Sequence, residues 1–384
     1  MKQGWELKRL DDACEVEYGT RVVQKRDGGK IYPVYGGGGA TFFMDTFNRE
    51  DCLVVARFAM SAQCTRFVEG KFFLNDSGLT VKPKNDKELL PDFLNLQMLF
   101  LNDHIYSLSR GTAQRNLDVP AFRNIQISYP KSIQEQNHIV SILDEAFAAI
   151  ARAKANAEQN LKNAKELFES YLQGVFEKLF EERETKRISE VAKVIGGYSF
   201  KSGDFTKEGK YQVIRMGNVR PGIIRENESP VFIEELDAKA LSKALLIPKD
   251  VIITQTGTKN KRDYGFTVII EKENYLLNQR IAAIRFKKEY LPEFFLYFSW
   301  TNIFKDQYFA NETGTVGQGN VGIGAITDSQ VPFIPLKEQQ TIVSQLDALR
   351  AETKRLEAIY QQKLLNLEEL KKSVLQRAFA GELT

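Results

Sequence analysis

Glu135-Gln136-Asn137-His138-Ile139-Val140-Ser141-Ile142-Leu143-Asp144 returns, 203 positions later, as Glu338-Gln339-Gln340-Thr341-Ile342-Val343-Ser344-Gln345-Leu346-Asp347. The same offset aligns Ser170-Tyr171-Leu172-Gln173-Gly174-Val175-Phe176 with Ser373-Val374-Leu375-Gln376-Arg377-Ala378-Phe379. One offset held over some forty residues implies an ungapped duplication, and an internal repeat is a stronger guide to architecture than any local motif. Upstream the repeat weakens. Gly111-Thr112-Ala113-Gln114-Arg115-Asn116 resembles Gly314-Thr315-Val316-Gly317-Gln318-Gly319-Asn320, and Leu74-Asn75 matches Leu277-Asn278. Lys8-Arg9-Leu10 and Val16 match Lys186-Arg187-Ile188 and Val194 at an offset of 178, so the second copy has gained 25 residues in between. Each half therefore reads as a variable globular part followed by a better preserved helical part. The segments are 1–132, 133–184, 185–335 and 336–384.

Residues 133–183 predict one long helix. Ile139, Leu143, Ala146, Ile150, Ala153, Ala157, Leu161, Ala164, Phe168, Tyr171 and Val175 recur at steps of three and four, the spacing of a coiled-coil seam. Such a helix is roughly 70 Å long at 1.5 Å per residue. Residues 336–380 repeat the pattern with Ile342, Leu346, Leu349, Leu356, Leu367, Leu370 and Val374. Two apolar stripes on one chain are buried most simply against each other, as an intramolecular antiparallel pair. A coiled coil between two copies is the alternative. Off the seam lie Phe147, Leu167, Leu172, Phe176, Leu179 and Phe180 on the first helix. Ile359, Leu364, Leu365, Leu375 and Phe379 do so on the second. Exposed strips of that size mark interfaces, and Leu172, Phe176, Leu375 and Phe379 are the expected docking residues for two copies of one partner.

The globular parts read as mixed α/β. Leu53–Ala56, Phe72–Leu74, Leu79–Val81, Val251–Ile253, Thr267–Ile270 and Ile281–Ile284 are strand candidates. Helices are expected at Pro91–Leu101 and Pro292–Phe304, each opening on a proline suited to a first turn. Gly36–Gly39 is expected to be a loop needing positive φ.

Composition narrows the class. The 384 residues are 43% hydrophobic, enough for two or three cored domains. No run of about 18 apolar residues suggests a membrane span, and no apolar signal core opens the chain, so a cytoplasmic location is expected. Cys14, Cys52, Cys64, His104 and His138 stand at no metal-ligand spacing. Basic residues outnumber acidic ones 18 to 16 in 1–132 and 21 to 17 in 185–335, while 133–184 has 6 against 10. Mildly basic heads are compatible with nucleic acid.

Motifs for catalysis are missing. There is no phosphate-binding Gly-Lys-Ser/Thr loop, no Asn/Asp-Pro-Pro-aromatic methyltransferase motif, and no acidic-x-Lys partner after Pro91-Asp92 for a nuclease. Polar and basic clusters are the better lead. Arg21, Lys25, Arg26 and Lys30 lie in one loop-like stretch and Lys259, Lys261 and Arg262 in another; such residues hold phosphates. Tyr35, Arg57, Gln63, Arg66, Arg110, Thr112, Gln114, Arg115 and Asn116 are candidate DNA contacts in the first half. Arg215, Asn218, Gln255, Thr315, Gln318 and Asn320 are those of the second, since such side chains read base edges.

On these residues the chain resembles the specificity subunit of type I restriction–modification systems. Pro335-Leu336-Lys337-Glu338-Gln339 and the ending Lys371–Leu383 carry the likeness most strongly. Tyr32-Pro33-Val34-Tyr35-Gly36, Tyr211–Asn218 and Gly111–Asn116 add to it in order. The resemblance implies two α/β target-recognition domains joined by two long antiparallel helices with a pseudo-twofold repeat. It implies a non-catalytic subunit whose heads each read half of a bipartite, asymmetric site in double-stranded DNA, the helices setting the spacer. It further implies two methyltransferase subunits as partners, then restriction subunits. S-adenosylmethionine, ATP and Mg²⁺ would sit on those partners, and none on this chain. A coiled-coil scaffold with two protein-binding heads, or a standalone nuclease or methyltransferase, remain the alternatives from residues alone.

Overall fold

The two preserved segments form helices Ile133–Glu182 and Leu336–Phe379 in a computed structural model that describes residues 3–259, 261–315 and 317–383. Val316, within the second Gly-Thr run, lies outside the described residues. The chain divides into two compact units that cut across its linear order. One joins Met1–Gln159 to Tyr360–Thr384; the other is Asn160–Ile359. Each unit thus holds a head, half of one long helix and half of the other.

Within each unit the two helix segments run antiparallel. In the first, Lys154 pairs with Glu368 at 2.6 Å and Lys371 lies over the Phe147 ring, while Ile139 and Leu143 share a core with Leu375 and Ala378. In the second, Arg183 pairs with Glu338 at 2.9 Å and Leu172 and Phe176 share a core with Val343 and Leu346. The chain's own stripes therefore cover one another. Tyr171 and Leu370, expected in the seam, are 42% and 47% exposed instead.

The chain enters and leaves each head side by side. Trp5–Arg9 pairs antiparallel with Gln126–Pro130 just before the first long helix, and Thr185–Arg187 with Gln330–Pro332 just before the second. The first head has a six-stranded sheet ordered Cys14–Tyr18, Gly78–Pro83, Arg49–Ala56, Thr65–Leu74, Tyr32–Tyr35, Ala40–Met44. All its pairings are antiparallel except Tyr32–Tyr35 with Thr65–Leu74. In the second head this sheet is split. Ala192–Gly196, Ile281–Phe286, Val251–Thr254 and Thr267–Ile269 form one sheet; Phe232–Ile233, Tyr211–Ile214 and Tyr275–Leu277 form another. The strand running unbroken from Thr65 to Leu74 is there interrupted between Ile269 and Tyr275. Extra residues between Ile214 and Val251 build the Val219–Ile224 hairpin and the helix Ala238–Ala244.

Two local expectations need correction. The helix expected over Pro292–Phe304 is two helices, Pro292–Phe298 and Asn302–Phe309. Thr301 ends the first and caps the second, its hydroxyl accepting the Phe304 N–H. Gly36–Gly39 does not adopt positive φ. Gly36 and Gly37 are needed for close packing: a Cβ on Gly36 would run into the Ser77 hydroxyl, and one on Gly37 would lie 2.5 Å from the Phe58 carbonyl oxygen.

Candidate nucleic-acid interface

The Gly-Thr loops are where sequence and structure meet most closely. Gly111 and Gly314 both have positive φ, 109° and 121°. A Cβ there would strike the carbonyl of Gln114 or Gln318, so this turn demands glycine in both units. Each loop is then pinned to the end of the same sheet strand. The Leu117 N–H donates to the Arg57 carbonyl at 2.8 Å, and the Val321 N–H to the Gln255 carbonyl at 2.8 Å.

In the first unit this pinning gathers several candidates. Met60 N–H reaches the Arg115 carbonyl at 2.9 Å and Ala59 N–H the Asn116 side chain at 3.3 Å. The Arg57 guanidinium lies over the rings of Tyr18 and Phe58, 4.9 and 4.5 Å from their centres, and bonds the Asp76 carbonyl at 3.3 Å. Arg66 donates to the Gly37 carbonyl at 3.1 Å, and Arg115 covers the Tyr106 ring. Tyr35 packs edge-on against Phe72. Thr112, Gln114 and Gln63 are exposed. Thr20 N–H bonds the Leu74 carbonyl, which starts the exposed segment of Arg21, Lys25 and Arg26 beside the same strand ends. Arg26 is engaged by its neighbour Asp27 at 2.8 Å and Arg110 by Asp118.

In the second unit, Thr256–Gly257 pairs with Gly319–Asn320. That pairing sets the loop of Lys259, Lys261 and Arg262 beside the loop of Thr315 and Gln318. The Asp263 carboxylate accepts the Thr258 N–H at 2.6 Å and its hydroxyl at 3.1 Å. The Thr258 N–H, first, holds that carboxyl below the usual range. The tight turn leaves Lys261 and Arg262 exposed, with Arg262 4.9 Å from the centre of the Phe309 ring. Tyr264 bonds Glu312 beneath the loops; burial, then that carboxylate, pushes its hydroxyl upward. Asn320 is exposed and accepts from the Thr256 hydroxyl at 2.9 Å.

Two second-unit candidates are structural instead. Asn218 is buried, its amide donating to the Arg225 and Glu228 carbonyls and its oxygen accepting the Arg215 N–H. Gln255 is buried with its amide on the Val321 carbonyl at 2.9 Å. Both N–H groups of the Asn218 amide are thereby used, and the Gln255 amide is held against the loop it pins.

The four helix residues expected on a docking surface are corrected too. Phe176 is fully buried against Phe294 and Phe298, at 5.1 and 5.4 Å between ring centres. Phe379 stacks on Phe100 at 5.2 Å and meets Phe93 edge-on. Leu172 and Leu375 are buried beside them. Each long helix ends against a head, and the repeated Ser-x-Leu-Gln-x-x-Phe run makes that joint. The repeat's first run has an equally internal role. Gln136, wholly buried, donates to the Glu88 and Pro130 carbonyls at 2.8 Å and accepts the Leu90 N–H at 2.8 Å. Gln339 does the same with Glu289, Ile334 and Leu291 at 3.1, 2.9 and 2.8 Å.

Residues 2–163 and 181–366 match the family of the type I restriction modification DNA specificity domain. The chain belongs to this family. Among curated relatives, it is 26% identical to the type I restriction enzyme EcoKI specificity subunit of Escherichia coli K12, over 73% of this chain and 62% of that protein. It is 24% identical to the StySPI specificity subunit of Salmonella potsdam, over 74% and 63%. The chain thus spans about three-fifths of those relatives' length. Of solved structures, one from a study of complex assembly and conformational transition of the type I restriction–modification system superposes with a TM-score of 0.74 at 16% identity, covering 100% of this chain and 99% of the other. The HsdS subunit from Thermoanaerobacter tengcongensis gives 0.60 at 17%, covering 100% and 98%. The family's fold therefore runs along the chain.

Among the described residues no group of three His, Cys, Asp or Glu could hold a metal, and no helix is long and apolar enough to cross a membrane. Cys14 and Cys64 are buried free thiols, which burial pushes up to about 12 and about 11.

Proposed function

We infer that this chain is the DNA-specificity subunit of a type I restriction–modification complex, without catalysis of its own. The observation that carries the reading is the paired loop frame. Both units pin a Gly-Thr loop to the same strand end, yet surround it with different basic and polar side chains. A conserved frame with unlike contents suits two heads that read unlike half-sites in double-stranded DNA. Phosphate contacts from the exposed lysines and arginines would position each head, and base-edge contacts would specify.

Two methyltransferase subunits are the partners this reading calls for, bringing S-adenosylmethionine; restriction subunits would bring ATP and Mg²⁺ chemistry. The docking surface moves from the buried phenylalanines to exposed helix residues. Leu167 and Leu370, equivalent at offset 203, are 50% and 47% exposed, one in each unit. Such a matched pair favours two copies of one partner. Single-molecule methylome sequencing of cells expressing the chain with its methyltransferase tests the function. A bipartite methylated sequence is expected, and replacing residues 1–132 by a relative's head should alter one half of it. Methylation of a continuous site, or a change in both halves, would overturn the reading.

A further inference from the structure

Beside the Ile214–Val219 turn of the second unit, a cleft of about 520 Å³ is walled by Arg215, Arg220, Asn278 and Arg280 among others. None of the three arginines forms an ion pair with a carboxylate among the described residues. Glu228, the one carboxylate on the wall, is engaged by Arg225 at 3.2 Å. Backbone carbonyls orient two of the guanidiniums. Arg215 donates to Ser229, and Arg220 to Gly217 and Val219 at 3.0 and 2.8 Å. A guanidinium carries five N–H donors, so each keeps donors for a ligand. Arg280 is exposed and has a φ of 67°, a conformation rare for a residue other than glycine and one that clusters at functional sites.

The comparison of units adds an independent observation. Ser77 lies 203 positions before Arg280. Its carbonyl accepts the Arg57 N–H at 2.8 Å, as the Arg280 carbonyl accepts the Gln255 N–H at 2.9 Å. The first unit has Arg57 facing Ser77; the second has Gln255 facing Arg280. Each unit therefore carries one arginine at this backbone pairing, on the donating residue in the first unit and on the accepting residue in the second. An uncompensated, pre-oriented set of guanidiniums fits the bidentate geometry of a phosphate.

We propose that Arg215, Arg220 and Arg280 form the phosphate anchor of the second unit, seating a DNA backbone phosphate in this cleft. The proposal rests on the DNA-specificity reading. Its test uses the chain in complex with its methyltransferase subunits. Binding is titrated against a duplex bearing its methylated site and a scrambled duplex, over a series of salt concentrations. Arg280→Ser, Arg220→Gln and Arg215→Gln should each weaken both duplexes alike, on the order of tenfold. One phosphate contributes about 0.9 to the log–log salt slope, so each variant should flatten it by part of that and the triple variant by about 0.9. Wild-type affinity and slope in all three would overturn the anchor. So would lost discrimination at one base pair with an unchanged slope, which marks base reading. Inorganic phosphate at constant ionic strength should not displace the duplex; full displacement would assign the cleft to the free ion instead. For any variant that melts early, Arg280→Lys decides: it keeps the charge, so the salt slope should survive, and its loss would overturn the proposal. A wild-type complex with no salt-dependent DNA binding would fail the functional reading itself, whereas the variants bear on the anchor alone.

Discussion

The first unit presents an unbroken six-stranded sheet and the second a split one, yet both tie their long helices to their heads in the same way. Gln136 and Gln339 make matching sets of three hydrogen bonds. Phe379 and Phe176 close matching aromatic joints. The loops differ freely around that joint, down to which side of a backbone pairing carries an arginine. The lesson is that similarity in the repeat follows burial. The side chains that join helix to head are shared because each unit must pack them, while the loops that face solvent vary most.

Substitution at the joint should give the largest effect. Phe176→Asp places a carboxylate in a fully buried aromatic cluster. Its loss of stability should be at least about 4 kcal/mol, and the second unit should unfold first in denaturant. Phe379→Asp sits at a less buried position and should cost about half as much. Native-like melting of both variants would end the claim that these phenylalanines serve the chain's own core. Next come the glutamines. Gln136→Ala and Gln339→Ala each strand a buried N–H and two carbonyls, at about 3 kcal/mol. The two losses should agree to within about 1 kcal/mol. A large inequality in chemical denaturation would break the equivalence of the units.

The repeat made this architecture legible. Offset 203 and the heptad pattern gave two long helices and an antiparallel pairing without any view of the heads. The same repeat misled on the interface. Phe176 and Phe379 stand off the idealised seam, and periodicity cannot say that a head covers them, because contacts such as Phe176 to Phe294 span over a hundred residues. Residue type nominated Asn218 and Gln255 as base readers, but their amides were already committed to backbone carbonyls, which depends on loop closure. Arg280 carried no motif. Its one signal was the Leu277-Asn278 match to Leu74-Asn75, which registers Arg280 on Ser77.

A change confined to one head's contents should leave the frame untouched. Arg57→Gln removes the guanidinium over Tyr18 and Phe58 while its backbone still holds Leu117. DNA binding should weaken by about 1–3 kcal/mol, with stability within about 0.5 kcal/mol of wild type. Altered sequences should appear in one half-site only, read by methylome sequencing. Equal relaxation of both halves would show that the heads do not read independently.

The smallest effect contrasts an ion pair on the helices with one inside a head. Lys154 and Glu368 are about half exposed, and their hydrogen bond raises the lysine's pKa and lowers the glutamate's. The glutamate's contribution is present above the ordinary 4.5 and fades as pH falls through its depressed value. The lysine's is present below the ordinary 10.5 and fades as pH rises through its raised one. At neutral pH the pair is intact, but solvent screening holds it to about 0.5 kcal/mol or less. Asp250, by contrast, is almost fully buried. It takes two bonds from Arg285 at 2.8 and 2.7 Å and one from the Ile247 N–H at 3.0 Å. Asp250→Asn should therefore cost about 2 kcal/mol, against a barely measurable loss for Lys154→Met. Added salt should erase the lysine effect and leave the aspartate effect standing. If Lys154→Met proved the costlier of the two in denaturant titrations, surface charge would matter more to the helix pair than its apolar seam, and burial would no longer explain what the two units have in common.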